Sequence, residues 1–433
     1  MPESPEREES CDVLVIGGGP GGSTIAAVLA ERGRKVVVVE KDHHPRFHIG
    51  ESLLPMNLPL FERLGLKEEV ERIGMLKYGA EFISPYHNKS VTYYFANAVD
   101  KRFPYAYQVR RSQLDEILFR NAAAKGAATV EGCRVKEVAF PPDGGATVIA
   151  EDEDGARRRW RARFLVDASG RDTFMADKLG IKERNRRHNS AAMFGHFSGA
   201  KRLPGREEGN ITVFWFDHGW FWFIPLLDGS TSVGAVCRPQ YFKSRKTGLD
   251  QFFMDTIALC PAILERLRDA RLLAPVTGTG NYSYRARHMS NERYLLLGDA
   301  FAFIDPIFSA GVYFAMIGGF SGADAVEACL DTPRKARRAL RGFEATTRSG
   351  INAFSWYIYR ATRPALRNMF MSPHNILGIE SAMLSLLAGD VFRRSGVRTR
   401  LIVFKLIYYI SSAVTFRRSV SAWRQHRRNL QPG

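Results

Sequence analysis

The first ten residues are polar and acidic, and the apolar pattern begins after them. Residues 12–16 form a short unbroken apolar run, the signature of a strand buried on both faces of a parallel sheet. Residues 23–32 have helical composition, Gly33 ends them, and residues 35–39 make a second apolar run closed by Glu40. Residues 163–166 and 294–297 repeat the buried-strand pattern, and each leads into an aspartate, Asp167 and Asp299. Residues 116–125 and a stretch from Val312 onward predict helices. Two segments, residues 77–107 and 191–285, are rich in Phe, Trp and Tyr. From about Thr332 the pattern turns helical, with predicted helices at 334–347, 352–365, 376–389 and 401–416 separated by Pro and Gly. There is no internal repeat and no low-complexity tract. Residues 1–330 therefore read as one intermixed α/β body and residues 331–433 as a helical region.

Between the first strand and helix lies Gly17-Gly18-Gly19-Pro20-Gly21-Gly22, so Gly17, Gly19 and Gly22 fill G-x-G-x-x-G. Gly17 permits the tight turn, Gly19 lets backbone approach a pyrophosphate, and Gly22 lets helix and strand pack closely. The helix start offers N–H groups and the positive dipole end to that anion. Glu40 stands where a carboxylate accepts from both ribose hydroxyls, which favours FAD or NAD over NADP. Arg111, ahead of the predicted helix, can neutralise a pyrophosphate. Asp299, at the carboxyl end of a buried strand, can accept from a ribityl hydroxyl. Only one G-x-G-x-x-G is present, so no second nucleotide domain is evident and electrons are expected from outside the chain.

Charge changes the picture in one place. The net charge of +17 is concentrated in the last quarter, where 19 Lys/Arg face 4 Asp/Glu from Asp331 onward. The body is nearly neutral. A basic tail fits nucleic acid, anionic lipid or an acidic protein, and no nucleic-acid recognition module is visible. The tail was expected to stand apart from the chemistry. Cys11, Cys133, Cys237, Cys260 and Cys329 show no metal-ligand spacing and read as reduced thiols. The polar N-terminus is no signal peptide, and the 401–416 run, interrupted by Lys405, is shorter than the ~20 residues that span a bilayer. The expected location is cytoplasmic, either free or peripheral at the inner membrane surface.

Five segments in chain order resemble the flavin-dependent halogenases, within the FAD-dependent aromatic hydroxylase superfamily. They are the Gly17–Gly22 loop; His44-Pro45-Arg46-Phe47-His48-Ile49-Gly50-Glu51-Ser52-Leu53-Leu54-Pro55; Lys77, Gly79 and Phe82 in K-x-G-x-x-F; Trp220, Trp222, Ile224 and Pro225 in W-x-W-x-I-P; and Phe303, Pro306, Ser309 and Gly311 in F-x-x-P-x-x-S-x-G. The resemblance implies a Rossmann-like FAD-binding domain with an inserted antiparallel β-sheet substrate domain, its inserts at about 77–107 and 191–285, and a C-terminal helical region.

It also implies chemistry. Reduced FAD from a separate flavin reductase, oxygen, and chloride or bromide yield hypohalous acid, which crosses an interior tunnel to a lysine and halogenates an electron-rich aromatic ring. The lysine is Lys77, acting either as an ammonium donor or as a haloamine. Trp220 and Trp222 wall the tunnel. Within F-x-x-P-x-x-S-x-G, Ser309 is a catalytic residue and Pro306 a flavin-binding one, and the backbone N–H groups of Ala310 and Gly311 hold the halide. Asp305 is a position for covalent flavin attachment. Phe308 stands where the tryptophan enzymes carry glutamate, which points to phenol or pyrrole substrates, free or tethered to an acyl- or peptidyl-carrier protein. Phe370, Met371 and Met383 are expected at the substrate mouth. The basic tail would dock either an acidic carrier or an anionic membrane. The competing readings are a flavin monooxygenase that hydroxylates an aromatic or polyketide-like substrate, an isoprenoid-lipid reductase, disfavoured by W-x-W-x-I-P and Lys77, and a non-catalytic flavoprotein scaffold.

Overall fold

The computed structural model describes residues 8–185, 188–280, 283–373, 375–392 and 397–414. Its first sheet has strand order Ala128–Val130, Val36–Val39, Glu8–Ile16, Arg157–Asp167, Ala146–Asp152 and Cys133–Ala139. Tyr294–Leu296 pairs with the last residues of Arg157–Asp167. The pairs on the Glu8–Ile16 side and at Tyr294–Leu296 are parallel, and the other two are antiparallel. Val36–Val39 is buried along its whole length, as an all-valine strand covered on both faces must be.

Helix Pro20–Glu31 leaves the glycine loop and packs against helix Gly311–Asp331. Glycines make that contact close: a Cβ on Gly319 would lie 2.9 Å from Thr24 Cγ2, and one on Gly318 would lie 2.8 Å from Leu297. The two helix starts thus flank the carboxyl ends of the parallel strands, where open α/β sheets bind ligands.

The second sheet has eight strands from the two inserts, in the order Arg271–Leu272, Ala191–Ser198, Thr231–Cys237, Gly219–Pro225, Ile211–Phe216, Gly79–Ser84 and Lys89–Tyr94, with Thr277–Thr279 beside Ala191–Ser198. It is antiparallel except for one pairing: Ile211–Phe216 runs parallel to Gly79–Ser84. These strands come from different inserts, and the chain between them passes through the flavin sheet, a long crossover of the kind parallel pairing needs. Both faces of this sheet are apolar. Trp220, Trp222 and Ile224 lie on the face of the main core, while Phe221 and Phe223 pack with Phe253 and Ile257 of helix Leu249–Ala258 in a second core.

The C-terminal region departs from expectation in two ways. Predicted helix 334–347 and the first half of 352–365 fall in one 26-residue helix, Pro333–Ile358, and the end of 352–365 reaches a separate helix, Pro364–Met371. Gly350 does not break the long helix, because it serves close packing: a Cβ there would stand 2.7 Å from both the Phe314 and the Phe392 rings. The last two predicted helices correspond to Ile379–Leu387 and Val397–Val414. Phe416 and the cations Arg417, Arg418, Arg424, Arg427 and Arg428 lie outside the described residues.

Candidate active site

The glycine loop shows three reasons for glycine. Gly17 has φ +97°, and a Cβ there would meet Ala168 O at 2.6 Å. A Cβ on Gly22 would fall 1.9 Å from Gly17 O. These two are glycine because the protein's own backbone fills the space. Gly19, the N-cap of helix Pro20–Glu31, is different: a Cβ there would find nothing closer than Arg46 Nη2 at 3.6 Å. The cradle in front of it is open and faces a cavity of about 470 Å³.

Glu40 is buried at the end of its strand. Its Oε2 accepts from Gly18 N at 2.7 Å and from Arg46 Nη2 at 3.2 Å, and its Oε1 accepts from Asp42 N at 3.1 Å. Arg46 continues to Asp115 at 3.1 Å, and its Nε is buried without a partner among the described residues. Arg111 opens helix Arg111–Ala124, five residues before the expected start. It donates two hydrogen bonds to Asp115, at 2.8 and 3.0 Å, and a third to Ile49 O. Burial opposes the charge on Asp115, but Arg111 and Arg46 outweigh it and hold the carboxyl below its ordinary range. Glu40, Arg46 and Arg111 all border the cavity.

The two strand-end aspartates have diverged. Asp167 accepts from the backbone N–H of Ser169 and Met175, so it caps its own strand. Asp299 follows strand Tyr294–Leu296 and borders the cavity. Burial pushes its carboxyl up to about 6, against the pull of Arg111 and Arg171.

At the opposite wall, Pro306–Phe308 form a single tight turn, Ser309 takes the left-handed conformation at φ +55°, and helix Gly311–Asp331 begins. Pro306, Ser309, Ala310 and Gly311 border the cavity, and the space at the Gly311 Cβ position is open. The first N–H groups of a helix have no intrahelical acceptor, so this corner is suited to an anion. Phe308 borders the same wall and packs near Phe354. Asp305 accepts from Ile307 N and lies 2.8 Å from His188 Nε2.

Trp220 and Trp222 border the cavity with their ring centroids 6.1 Å apart, and Trp222 Nε1 donates to Ser232 Oγ at 3.2 Å. Alternation along Gly219–Pro225 puts both indoles on one face. Lys77 is not on the cavity. It is buried on strand Met75–Lys77, where Nζ donates to Ser52 Oγ at 2.9 Å and to Leu53 O at 3.0 Å, with the Phe95 ring 5.3 Å away. Burial lowers its pKa from that of an ordinary lysine to about 7.

Three expectations need correction. Phe370, Met371 and Met383 do not border the described cavity. They are buried in the main core, with Phe370 edge-on to Phe82 and Tyr93, because apolar residues at helical spacing most often pack inward. The tail is not apart from the chemistry, since Thr347, Ile351, Phe354 and Ile358 of its first helix border the cavity. The insert sheet has its one parallel pairing. Sequence reading also assigned no role to Arg46, Glu51 or Ser52, although all three lie in the quoted 44–55 segment. His196, whose Nε2 lies 2.9 Å from Glu51 Oε1, carried no signal because its partner is 145 residues away.

The open Gly19 cradle, the unpartnered Arg46 Nε and the carboxylate at Glu40 suit FAD, whose pyrophosphate and ribose would meet them. Residues 10–321 match the FAD binding domain family, so the chain is an FAD-binding protein. A flavin-dependent halogenase of Penicillium aethiopicum is 36% identical over 372 residues, covering 80% of this chain and 70% of that protein. A 1H-pyrrole-2-carbonyl peptidyl-carrier-protein chlorinase of Pseudomonas fluorescens is 29% identical, covering 88% of this chain and 89% of that protein. The solved structure of a myxobacterial chondrochloren halogenase superposes with a TM-score of 0.78 at 31% identity, covering 90% of this chain and 99% of that one. The chain belongs to the flavin-dependent halogenases, enzymes that use reduced FAD, oxygen and halide.

Proposed function

We propose that this chain halogenates an electron-rich aromatic of the phenol or pyrrole type, either free or bound to an acyl- or peptidyl-carrier protein, with Lys77 presenting the oxidant to the ring. The observation that carries this reading is the amine of Lys77. It sits in an apolar interior with a pKa near neutrality, behind a cavity that has an anion-ready helix start on one wall and paired tryptophans on another. Bound reduced FAD supplies hypohalous acid from oxygen and chloride or bromide. The chain's own residues do the rest. Gly19 and the start of helix Pro20–Glu31 seat the pyrophosphate. Glu40 takes the adenosine ribose, with Arg46 holding it in place, and Asp299 takes a ribityl hydroxyl. Ala310 and Gly311 N–H groups hold the halide. Trp220 and Trp222 keep the aromatic substrate from the flavin.

At Lys77 the amine donates to hypohalous acid or becomes a haloamine. Either way the halogen passes to the ring carbon, the O–X or N–X bond breaks, and the ring proton leaves. Phe308 supports the substrate class, because no carboxylate stands at that place to assist Lys77. Reducing equivalents come from a separate flavin reductase, consistent with the single glycine loop. Lys77→Ala is expected to lose halogenation at least 100-fold while keeping FAD bound. Retained product formation would overturn the role. An assay in which only indoles, tryptophan included, are halogenated would overturn the substrate class.

We also propose peripheral attachment at an anionic membrane surface. Helix Val397–Val414 turns Phe404, Tyr408 and Tyr409 toward Trp356 and leaves Ile402, Leu406 and Ile410 exposed. An apolar stripe on a helix rich in cations suits the lipid interface. Among the described residues no helix is long and apolar enough to cross a membrane. An acidic carrier protein is the alternative occupant of the same face.

A further inference from the structure

Lys77 does not reach the cavity, and the residue between them is Ser52. Ser52 borders the cavity, and its Oγ accepts from Lys77 Nζ at 2.9 Å. A hydroxyl accepts through its lone pairs and keeps one proton to donate. Among the described residues the Ser52 Oγ–H has no acceptor, so the cavity is where it can donate.

The pair is held from one strand. Lys77 pairs with Ala106, and Ser52 pairs with Gln108, on the same strand Ala106–Gln108. Leu53 N donates to Tyr107 O at 3.0 Å and Val109 N donates to Glu51 O at 2.8 Å, which stitches the segment around Ser52 to that strand. Lysine and serine are thus fixed to one backbone template without a flexible loop between them, as a preorganised pair requires.

We propose that Ser52 is the positioning residue of this enzyme: it orients the Lys77 amine and carries its hydrogen bond to the cavity side. This rests on the reading of Lys77 given above. The surrounding titratable groups leave the amine to Ser52. Glu51 faces His196, at 2.9 and 3.1 Å. Tyr107, on the intervening strand, is kept neutral because burial raises its hydroxyl. Burial lowers the amine's pKa, Leu53 O accepts from the amine beside Ser52, and Phe95 offers it only a ring. An acceptor on the amine favours its charged form. Removing the Ser52 hydroxyl therefore lowers the Lys77 pKa further, whether the ammonium or the neutral amine is the working form.

The test uses full-length Ser52→Ala, Ser52→Thr and Lys77→Ala with FAD bound. The first readout needs no substrate: the Lys77 Cε resonance of carbon-13 lysine-labelled protein, identified by its absence in Lys77→Ala, is titrated with pH. The expected result is a midpoint near that of a buried lysine in the parent, lower by at least half a pH unit in Ser52→Ala, and restored in Ser52→Thr, with FAD affinity unchanged throughout. The second readout is bromination of resorcinol with reduced FAD, expected to fall at least tenfold in Ser52→Ala and to return in Ser52→Thr. A Ser52→Ala titration that overlays the parent would overturn the proposal, as would loss of FAD from both Ser52 variants, which marks a merely structural role. If Lys77→Ala brominates at the parent rate, the reading of Lys77 fails. If Lys77→Ala is inactive and Ser52→Ala matches the parent, only the inference about Ser52 fails.

Discussion

Gly19 and Gly22 are the same residue type three positions apart, with opposite reasons for being glycine. A side chain at Gly22 would collide with backbone 1.9 Å away, whereas one at Gly19 would enter open space in front of the helix start. Gly22→Ala is therefore expected to destabilise the fold by about 1–3 kcal/mol or more. Gly19→Val should fold normally and lose FAD. Thermal unfolding and visible flavin absorbance separate the two outcomes, and a yellow, fully loaded Gly19→Val would refute the cradle. At this scale the sequence was most legible where backbone chemistry constrains residue type, as at Gly17 and Gly22. It was least legible where function depends on a tertiary neighbour. Lys77 has an unusual amine only because the fold buries it. Arg46 and Ser52 gain their roles from Glu40 and Lys77, contacts that no local spacing encodes. Phe370 and Met383 misled because a side chain fit for a binding mouth is equally fit for a core.

Gly350 illustrates how an element can outlast a breaker. Glycine in a helix interior costs about 0.5–1 kcal/mol relative to alanine, yet helix Pro333–Ile358 runs through it because two phenylalanine rings close over the bare Cα. Gly350→Ala should therefore reverse the usual propensity gain and destabilise by about 1–3 kcal/mol, read by denaturant unfolding. A stabilised variant would contradict the packing account. Helix Val397–Val414 raises the complementary question, since one side is packed and the other presents Ile402, Leu406 and Ile410 to solvent. The full-length protein is expected to co-sediment with phosphatidylserine vesicles, to release as salt rises, and to lose binding in a Leu406→Ser/Ile410→Ser double variant. Failure to bind such vesicles, with salt-sensitive capture by a purified acidic carrier protein instead, would assign that face to a carrier. The run of apolar residues was legible in the sequence. Its division into a packed and an exposed side was not, because Trp356 arrives from another helix.

The net charge of +17 divides into a nearly neutral body and a basic last quarter, and the fold does not respect that division. The long helix that opens the basic region sends Thr347, Ile351, Phe354 and Ile358 to the cavity wall, so the region belongs to the active site as well as to the surface. The alternation of buried strands and the glycine loop were enough to place the flavin sheet. The second sheet was anticipated from the family resemblance, with the aromatic segments locating it, although the parallel pairing at Gly79–Ser84 depends on a crossover that composition does not reveal. The central claim is that this assembly turns a halide into an electrophile and delivers it through Lys77. Its most direct test is a mass-spectrometric assay of the full chain with a separate flavin reductase, FAD, oxygen and bromide or chloride against a panel of phenols, pyrroles, carrier-bound acyl groups and indoles, run beside Lys77→Ala. The account predicts a phenol or pyrrole product in which one halogen replaces one hydrogen, absent with the FAD-loaded variant; a product that gains oxygen without halogen, or equal halogenation by Lys77→Ala, would contradict it.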